Sequence, residues 1–346
     1  MRNGSRHNGG RIFGRAGGMA LMAALLMPAA FNLTAAPPPR LEETSSGRAA
    51  RFGSGAAEHR YRIAGRVRLA LFWVGRDDVG SARMSWHADG TTSALTLLIG
   101  SDPQRAPRRL NQWGYLREEL RPESAEVFSL RSIDDDGGDA SAGFEIGDGP
   151  DFGISCASIG DDEVSSRQVK VAGHGVTYRM FEQLLDRLPA DSGWEHRQMP
   201  RPAGADAGFL TAIQHAIRLA DTMAADGAAK RFQPVAYVYN NSVYDLTIQR
   251  LNRLGRTTVG ARTFEQLVRI DFSIRNRRTG DVSKFSISYA PDNGTMTLPV
   301  QIFYQPSFWL RIELLLDDTA DVPADPASDG SVLQRIRALC ARSASQ

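Results

Sequence analysis

The chain has little cysteine, almost no lysine, little net charge and few long apolar runs. These shortages limit the disulfides it can form and the partners its charge can attract. Two cysteines allow at most one disulfide, and three lysines among 41 basic residues indicate a GC-rich genome. A net charge of +2, with acids and bases interspersed, gives no electrostatic argument for a nucleic-acid partner. The 346-residue length and 42% hydrophobic content predict a packed core in one large or two modest domains.

Sequence motifs for catalysis and metal binding are also scarce. No two of the six histidines have i, i+4 spacing, which excludes a helical zinc motif. There is no G-x-S-x-G elbow, and neither cysteine has a histidine nearby in sequence. His174 lies between two glycines and is either a mobile general base or, as we prefer, a solvated loop residue. We expect no catalytic residue, metal or cofactor, and keep an unrecognised hydrolase as a third alternative.

The N-terminal 36 residues are typical of a secretory signal peptide. Four arginines precede the apolar run MALMAALLMPAAFNL over 19–33, and Thr34-Ala35-Ala36 supplies small residues for cleavage. The run contains Pro28 and is shorter than the roughly 20 residues that a spanning helix needs, so a cleaved signal is favoured over an anchor. No other segment is apolar enough to span a bilayer. We therefore expect a soluble exported protein, periplasmic in a Gram-negative host or secreted.

The sequence does not decide whether the two cysteines are oxidised to a disulfide or remain free thiols. In an oxidising compartment Cys156 and Cys340 can form a disulfide. A loop of this length would stabilise the fold by about 4–5 kcal/mol. The alternative is two buried free thiols, because Cys340 lies on a short predicted helix that the sequence alone does not bring near Cys156.

Composition divides the chain into four parts. After the signal, residues 37–57 are rich in Pro, Gly, Ser and Arg and are interpreted as a disordered leader. A single β-rich domain is expected over 58–318, with a helical middle section over 172–228. A linker and a short C-terminal helix follow over 319–346.

Alternating apolar residues predict a mainly β, α+β fold, built as an antiparallel meander sheet or half-open β-barrel covered by two or three helices. Residues 60–76 are interpreted as a strand covered on both sides, because apolar residues, Trp73 and Val74 among them, lie on both of its faces. Residues 102–125 and 189–207 show no regular pattern. The predicted helices are 176–188 and 208–225, which would cover one face of the sheet, and 331–342; strands are also predicted at 81–87, at 91–101, in short pieces between 128 and 171, and in a C-terminal meander over 233–316.

The stretch TLPVQIFYQPSFWLRIELLLDD, residues 297–318, is apolar on both faces and predicts two strands or one bent strand, with Gln305-Pro306 at the bend. A half-open barrel lined by such strands can hold an acyl chain. The alternative is that the aromatic residues are ordinary core. The candidate apolar lining is Trp73, Trp86, Phe272, Tyr304, Phe308 and Trp309.

Two charged segments are weaker candidates for binding. The arginine-rich segment with Arg105, Arg108 and Arg109 could contact anionic lipid or polysaccharide, or could form internal salt bridges. The acidic run 134–145 has carboxylates at three positions of an EF-hand loop, but it lacks the required glycine and a preceding helix. A solvated acidic loop is therefore the better interpretation.

The order of the segments AIRLAD, YVYNNSVYDLTI and VRIDFSIRNRRTGDVSKFSISYAPDNGTMTLPVQIFYQ, together with VGSARMSW, resembles a group of uncharacterised bacterial exported proteins. The resemblance covers residues 61–101 and 208–316. This chain has Tyr289 where the group has a tryptophan. The resemblance implies a half-open antiparallel barrel like that of envelope lipoprotein carriers, and it carries over no catalytic residue.

These observations favour a non-catalytic exported envelope protein that binds or carries an apolar or amphipathic ligand, with peripheral membrane contact as a further expectation. The alternative is a structural or interaction protein with a filled core. The two differ in whether the sheet encloses an empty apolar cavity.

Overall fold

The computed structural model describes residues 54–69, 72–106, 110–133, 151–173, 175–189, 193–226, 233–291, 297–307 and 310–341. The strands in this part of the chain are β1 Gly55–Leu69, β2 Phe72–Ala88, β3 Ser93–Ser101, β4 Trp113–Leu120, β5 Ala125–Ile133, β6 Asp151–Ile159, β7 Glu163–Val171, β8 Glu195–Pro200, β9 Val235–Tyr239, β10 Ser242–Leu254, β11 Thr257–Val259, β12 Arg262–Phe264, β13 Leu267–Asn276, β14 Val282–Tyr289, β15 Gln301–Ser307 and β16 Leu310–Leu316. The helices are α1 Phe181–Asp186, preceded by a 3-10 turn over Tyr178–Met180, α2 Phe209–Asp226 and α3 Gly330–Ala341.

Fourteen of the strands form one antiparallel sheet, which confirms the predicted fold class. Its order is β8-β7-β6-β5-β4-β3-β2-β1-β16-β15-β14-β13-β10-β9. Strands β1 to β8 thus form one half of the sheet as a meander. It then returns to pair β16 with β1, so that the two meanders join at this central pair. The remaining two strands, β11 and β12, form a separate ribbon.

The sheet is not closed, yet it curls far enough for its two halves to touch. Asn240 and Asn241 form the tight turn between β9 and β10, both with positive φ (43° and 55°), as a two-residue hairpin turn requires. The Asn240 side chain accepts a hydrogen bond from Ser129 on β5 at 3.2 Å, and the Asn241 side chain accepts one from Ser166 on β7. A turn at one edge of the sheet therefore lies against the inner face of the opposite half.

Helix α2 fills the inside of this curl. Its apolar stripe, including Phe209, Ile213 and Ile217, belongs to one large core cluster with inward-facing residues from both halves of the sheet. The opposite face of β3 to β7 carries a second cluster, which α1 and α3 cover. The prediction that 176–188 and 208–225 cover one face is therefore wrong: they cover opposite faces, because the sheet is apolar on both sides.

Several predicted boundaries need correction. Strand β1 begins at Gly55, so it includes the last three residues assigned to the leader. Residues 60–76 belong to two strands. Residues 301–316 form two paired strands, which is the first of the two predicted alternatives. The segments without a regular pattern contain β4 and β8. Helix α3 contributes Val332, Ile336 and Cys340 to the second core cluster, so it is part of the domain rather than an appendage.

Candidate functional site

The predicted apolar lining does not form one surface. Trp86, Phe272 and Tyr304 are buried in the core cluster around α2. Phe272 stacks on Phe285 with ring centroids 5.0 Å apart, and Phe285 in turn lies 6.0 Å from Phe209 of α2. These three predicted residues are therefore packed against other side chains. Trp73 is separate from them and 38% exposed, while Phe308 and Trp309 lie outside the described residues.

The start of α2 is held by a buried carboxylate on β4. Glu118 accepts hydrogen bonds from the backbone N–H of Leu210 at 2.7 Å and of Thr211 at 2.8 Å, and from the Thr211 hydroxyl at 2.6 Å. This is capping of the free N–H groups of a first helical turn by a distant side chain. Burial raises the pKa of Glu118 to about 7, although these hydrogen bonds oppose the shift. Sequence spacing gave no sign of this contact.

A histidine–carboxylate pair lies close to this cap. His215 Nδ1 is 2.9 Å from Asp206 Oδ2, and the backbone of Asp206 bridges to Tyr237 on β9. The pair joins one side of α2 to the chain segment that leads into the helix. We interpret it as a contact that holds α2 against the edge of the sheet.

A groove of about 610 Å³ lies between the outer face of β1 to β4 and the chain segment that leads into α3. Its lining combines the charged residues Glu58, Arg117, Asp325 and Arg337 with apolar residues that include Trp86 and Leu333, so it is mixed in character. These groups have protein partners: Arg337 binds Glu119, and the Asp325 carboxylate accepts hydrogen bonds from side chains of the sheet. The groove therefore differs from the predicted apolar pocket in its charged groups, although Trp86 belongs to both.

Exposed apolar side chains are concentrated at one end of the sheet. Trp73 and Val74, 38% and 55% exposed, are near the tip of the β1–β2 hairpin, and Val282, 50% exposed, begins β14. The register brings these positions to the same level: Val74 pairs with Val67, and Val67 pairs with Leu310 of β16. We call this end the hairpin end. The prediction that both faces of 60–76 are covered is wrong for Trp73 and Val74.

Val282 also lies at the hairpin end, although two strands, β16 and β15, separate β14 from β1. Leu310 of β16 pairs with Ser307, the last residue of β15. Phe285 pairs with Tyr304, so the β14 residues before Phe285 extend toward Ser307. The three exposed apolar residues thus lie along one rim of the sheet.

The β1–β2 hairpin also projects beyond its neighbour on one side. The last pair between β2 and β3 is Gly80 with Ser101, whereas β2 begins at Phe72. The eight residues from 72 to 79 extend past β3 by roughly 25 Å at the usual rise per strand residue. This part of β2 presents a strand edge with no strand beside it in the described chain.

Charged residues of both signs lie beside the exposed apolar residues, since Asp77 and Asp78 follow Arg76 and Asp77 pairs with Arg66. Arg76 donates a hydrogen bond to the Arg105 carbonyl at 2.8 Å, so Arg105 lies at the base of the hairpin. Arg105 itself is held by Asp102 at 2.9 Å and by Asp78. Arg275 pairs with Val282 across the strands, and within the described chain neither it nor Arg76 has a carboxylate partner. Arg108 and Arg109 lie outside the described residues.

The remaining candidates from the sequence are His174, the acidic run 134–145 and the two cysteines. His174 and the acidic run 134–145 lie outside the described residues. In the part of the chain that the structure describes, no group of three or more His, Cys, Asp and Glu side chains could hold a metal ion. No helix among these residues has the length and apolar character needed to cross a membrane. Cys156 and Cys340, by contrast, are both buried in the second core cluster, where they are two free cysteines.

Comparison with known proteins yields little. No protein family matches the chain, and no curated protein matches it. One solved structure, described as "a putative lipoprotein from Parabacteroides distasonis ATCC 8503", matches 77% of this chain and 95% of its own, at 10% identity and a TM-score of 0.23. A similarity of this size supports no conclusion about the present chain.

Proposed function

We propose that this protein is a non-catalytic envelope protein that binds the surface of an anionic bilayer through its hairpin end. The observation that carries the proposal is the placement of Trp73, Val74 and Val282 on one rim beside Arg76 and Arg275, which have no carboxylate partner among the described residues. Exposed apolar groups gathered at one place mark an interaction site more often than scattered ones do.

The chemistry of the rim suits a lipid surface. A tryptophan with a neighbouring valine can enter the interfacial region, where the indole N–H keeps a polar partner. Each arginine near an anionic leaflet contributes about 1 kcal/mol, and this attraction is screened by salt. With so few groups involved, binding should be reversible and should require both the apolar and the charged contributions.

The interior offers less support for a carrier role. An acyl chain inside the sheet would have to occupy the volume that α2 fills, beside Phe209, Phe272 and Phe285. A ligand there would require α2 to leave and to uncover a large apolar surface. The amphipathic partner expected from the sequence is therefore assigned to the rim.

Sedimentation with liposomes tests the proposal. We expect the protein to pellet with vesicles that contain about one third anionic phospholipid and to stay in the supernatant with purely zwitterionic vesicles. The double variant Trp73→Ser/Val74→Ser should lose most of the bound fraction, and Arg76→Ser should weaken binding. Arg256→Ser, which removes an exposed arginine near the opposite end, is the matched control and should bind normally.

Equal pelleting of the parent and the double variant would overturn the assignment of the rim. Absence of binding to any vesicle would overturn the membrane proposal as a whole. If the double variant instead changes the oligomeric state, measured by light scattering without lipid, the rim is a contact between copies of the protein.

A further inference from the structure

The two cysteines of the chain come together in the folded protein although more than half of the sequence separates them. Cys156 lies in β6 with its side chain on the face covered by α3, and Cys340 lies in the last turn of α3. Both are at most 1% exposed. The Cys156 thiol is close enough to Cys340 to raise its pKa, and both are free cysteines in the structure.

Helix periodicity brings Cys340 to this place. Val332, Ile336 and Cys340 follow one another at intervals of four residues, and all three are buried against the sheet. Cys340 is the last of this stripe. On the sheet, Cys156 is flanked across the strands by Phe128 and Arg167. The contact therefore joins the C-terminal end of the helix to the middle of the sheet.

The two ion pairs of α3 near this end differ in burial. Arg335 pairs with Asp186, and both side chains are substantially exposed. Arg337 pairs with the buried Glu119 but is itself about half exposed. The exposed Arg335–Asp186 pair contributes little to stability, whereas the buried Glu119 also has Arg117 and Arg121 as partners. Beyond Ile336, Cys340 is the only fully buried anchor of the described helix.

We propose that Cys156 and Cys340 form a disulfide that fastens the C-terminal helix to the sheet. Each thiol loses its proton, one S–S bond forms, and the two electrons pass to a disulfide-donating thiol oxidoreductase, whose own disulfide is reduced to a dithiol. The inference is independent of membrane binding. Helix α3 also supplies Leu333 and Arg337 to one wall of the groove, so the bond would fix that wall as well.

The surroundings indicate when the bond forms. Burial, and then the hydrogen bond from its partner, raise the pKa of the Cys340 thiol, while Arg167 opposes the shift. Because the thiolate is the reactive form, the folded dithiol should react slowly with oxidants and alkylating reagents. Exchange is therefore expected before α3 packs on the sheet, as a late step of folding, and the finished bond is shielded from reductants.

Counting thiols tests the bond directly. The full chain, exported to the periplasm of a bacterial host, is unfolded in denaturant with excess maleimide, with and without prior reduction. The expected result is no modified cysteine without reductant and two after reduction, on a monomer. The same chain made without residues 1–36 in a reducing cytosol is the control and should carry two modifications in both treatments.

Two modified cysteines in the exported protein without reductant would overturn the proposal, and so would a disulfide-linked dimer on a non-reducing gel. The mechanical role has a separate readout. Amide exchange in α3 should be roughly tenfold faster or more in Cys340→Ser than in the oxidised parent, and the parent should match the variant in reductant. Equal amide exchange of α3 in the oxidised and reduced parent would overturn the proposal that the bond fastens the helix to the sheet.

Discussion

The Glu118 carboxylate binds Thr211 twice, through its backbone N–H at 2.8 Å and through its hydroxyl at 2.6 Å. This contact crosses from the middle of β4 to the first turn of α2. It sets both the position of the helix inside the curled sheet and its rotation about its own axis, because two donors on one residue must meet one carboxylate. The helix that fills the interior is thus fixed at its start by a single buried acid.

The same acid should make stability depend on pH. The pKa of Glu118 is raised, mainly by burial, from 4.5 to about 7, so the folded protein holds this proton more tightly than the unfolded chain does. Its contribution is full below about pH 4.5, falls as the pH rises, and is lost above about pH 7. The expected loss is roughly 3 kcal/mol, measured from urea unfolding at pH 5 and pH 8.

Glu118→Gln isolates this effect, because glutamine cannot titrate. His59, whose pKa is lowered by burial, changes stability in the opposite direction in part of this range, and Asp206 faces Glu118. The difference between parent and variant removes such contributions. A parent and a variant with the same pH dependence would show that Glu118 does not titrate in this window.

Gly208 should be required for the cap. A Cβ atom at this position would overlap the Glu118 carboxylate, which could move only by giving up its bonds to α2. We expect Gly208→Ala to destabilise the protein by about 1–3 kcal/mol, as overpacking of a core does. Gly255→Ala is the matched control, since a Cβ there meets no atom within 4 Å, and its unfolding midpoint should change little.

Substitutions of Phe272 and Trp73 should separate core from surface. Phe272 is buried and stacked on Phe285, so Phe272→Ala should lower the free energy of unfolding by about 3–5 kcal/mol. Trp73 is 38% exposed on the hairpin, so Trp73→Ser should lower it less, by about 1 kcal/mol. Thermal unfolding of both variants measures this contrast. A Phe272 variant as stable as the parent would contradict the packed core and would favour an empty apolar cavity lined by Phe272.

The Asp325 carboxylate should hold the segment before α3 on the sheet. It accepts hydrogen bonds from the Tyr115 hydroxyl and the Thr96 hydroxyl, each at 2.9 Å. Asp325→Ala would leave the buried Tyr115 hydroxyl without this acceptor, at a cost of about 1–3 kcal/mol. Asp321→Ala, which breaks an exposed pair with Arg179, should cost less than about 1 kcal/mol. Equal losses in the two variants would contradict this role of Asp325.

Local patterns were reliable where neighbouring residues decide the structure. Residues Val268, Ile270, Phe272 and Ile274 alternate along β13 and form its buried face, inside the meander predicted over 233–316. Strand β4 was missed because both of its faces are buried, so its sequence WGYLREEL does not alternate. Its two glutamates meet partners on α2 and α3, which a local pattern cannot register.

The candidate sites followed the same division. The sequence singled out Trp73, Phe272 and Arg105 by residue type, but it grouped Phe272 with Trp73, although one is core and the other surface. It did not point to Val282, because a single valine at the start of a strand is ordinary. Arg105 and Trp73 lie at the same end of the sheet only because the β3–β4 loop packs against the β1–β2 hairpin.

The sequence by itself determined the β-rich class, most strands of the second half, the tight turns and the existence of α2, because each depends on alternation, periodicity or backbone preference within a few residues. Only the tertiary structure decided which face each helix covers, which aromatic residues remain exposed and that Cys156 meets Cys340. Those outcomes depend on the order and curl of fourteen strands, and segments distant along the chain become neighbours only when the sheet is complete.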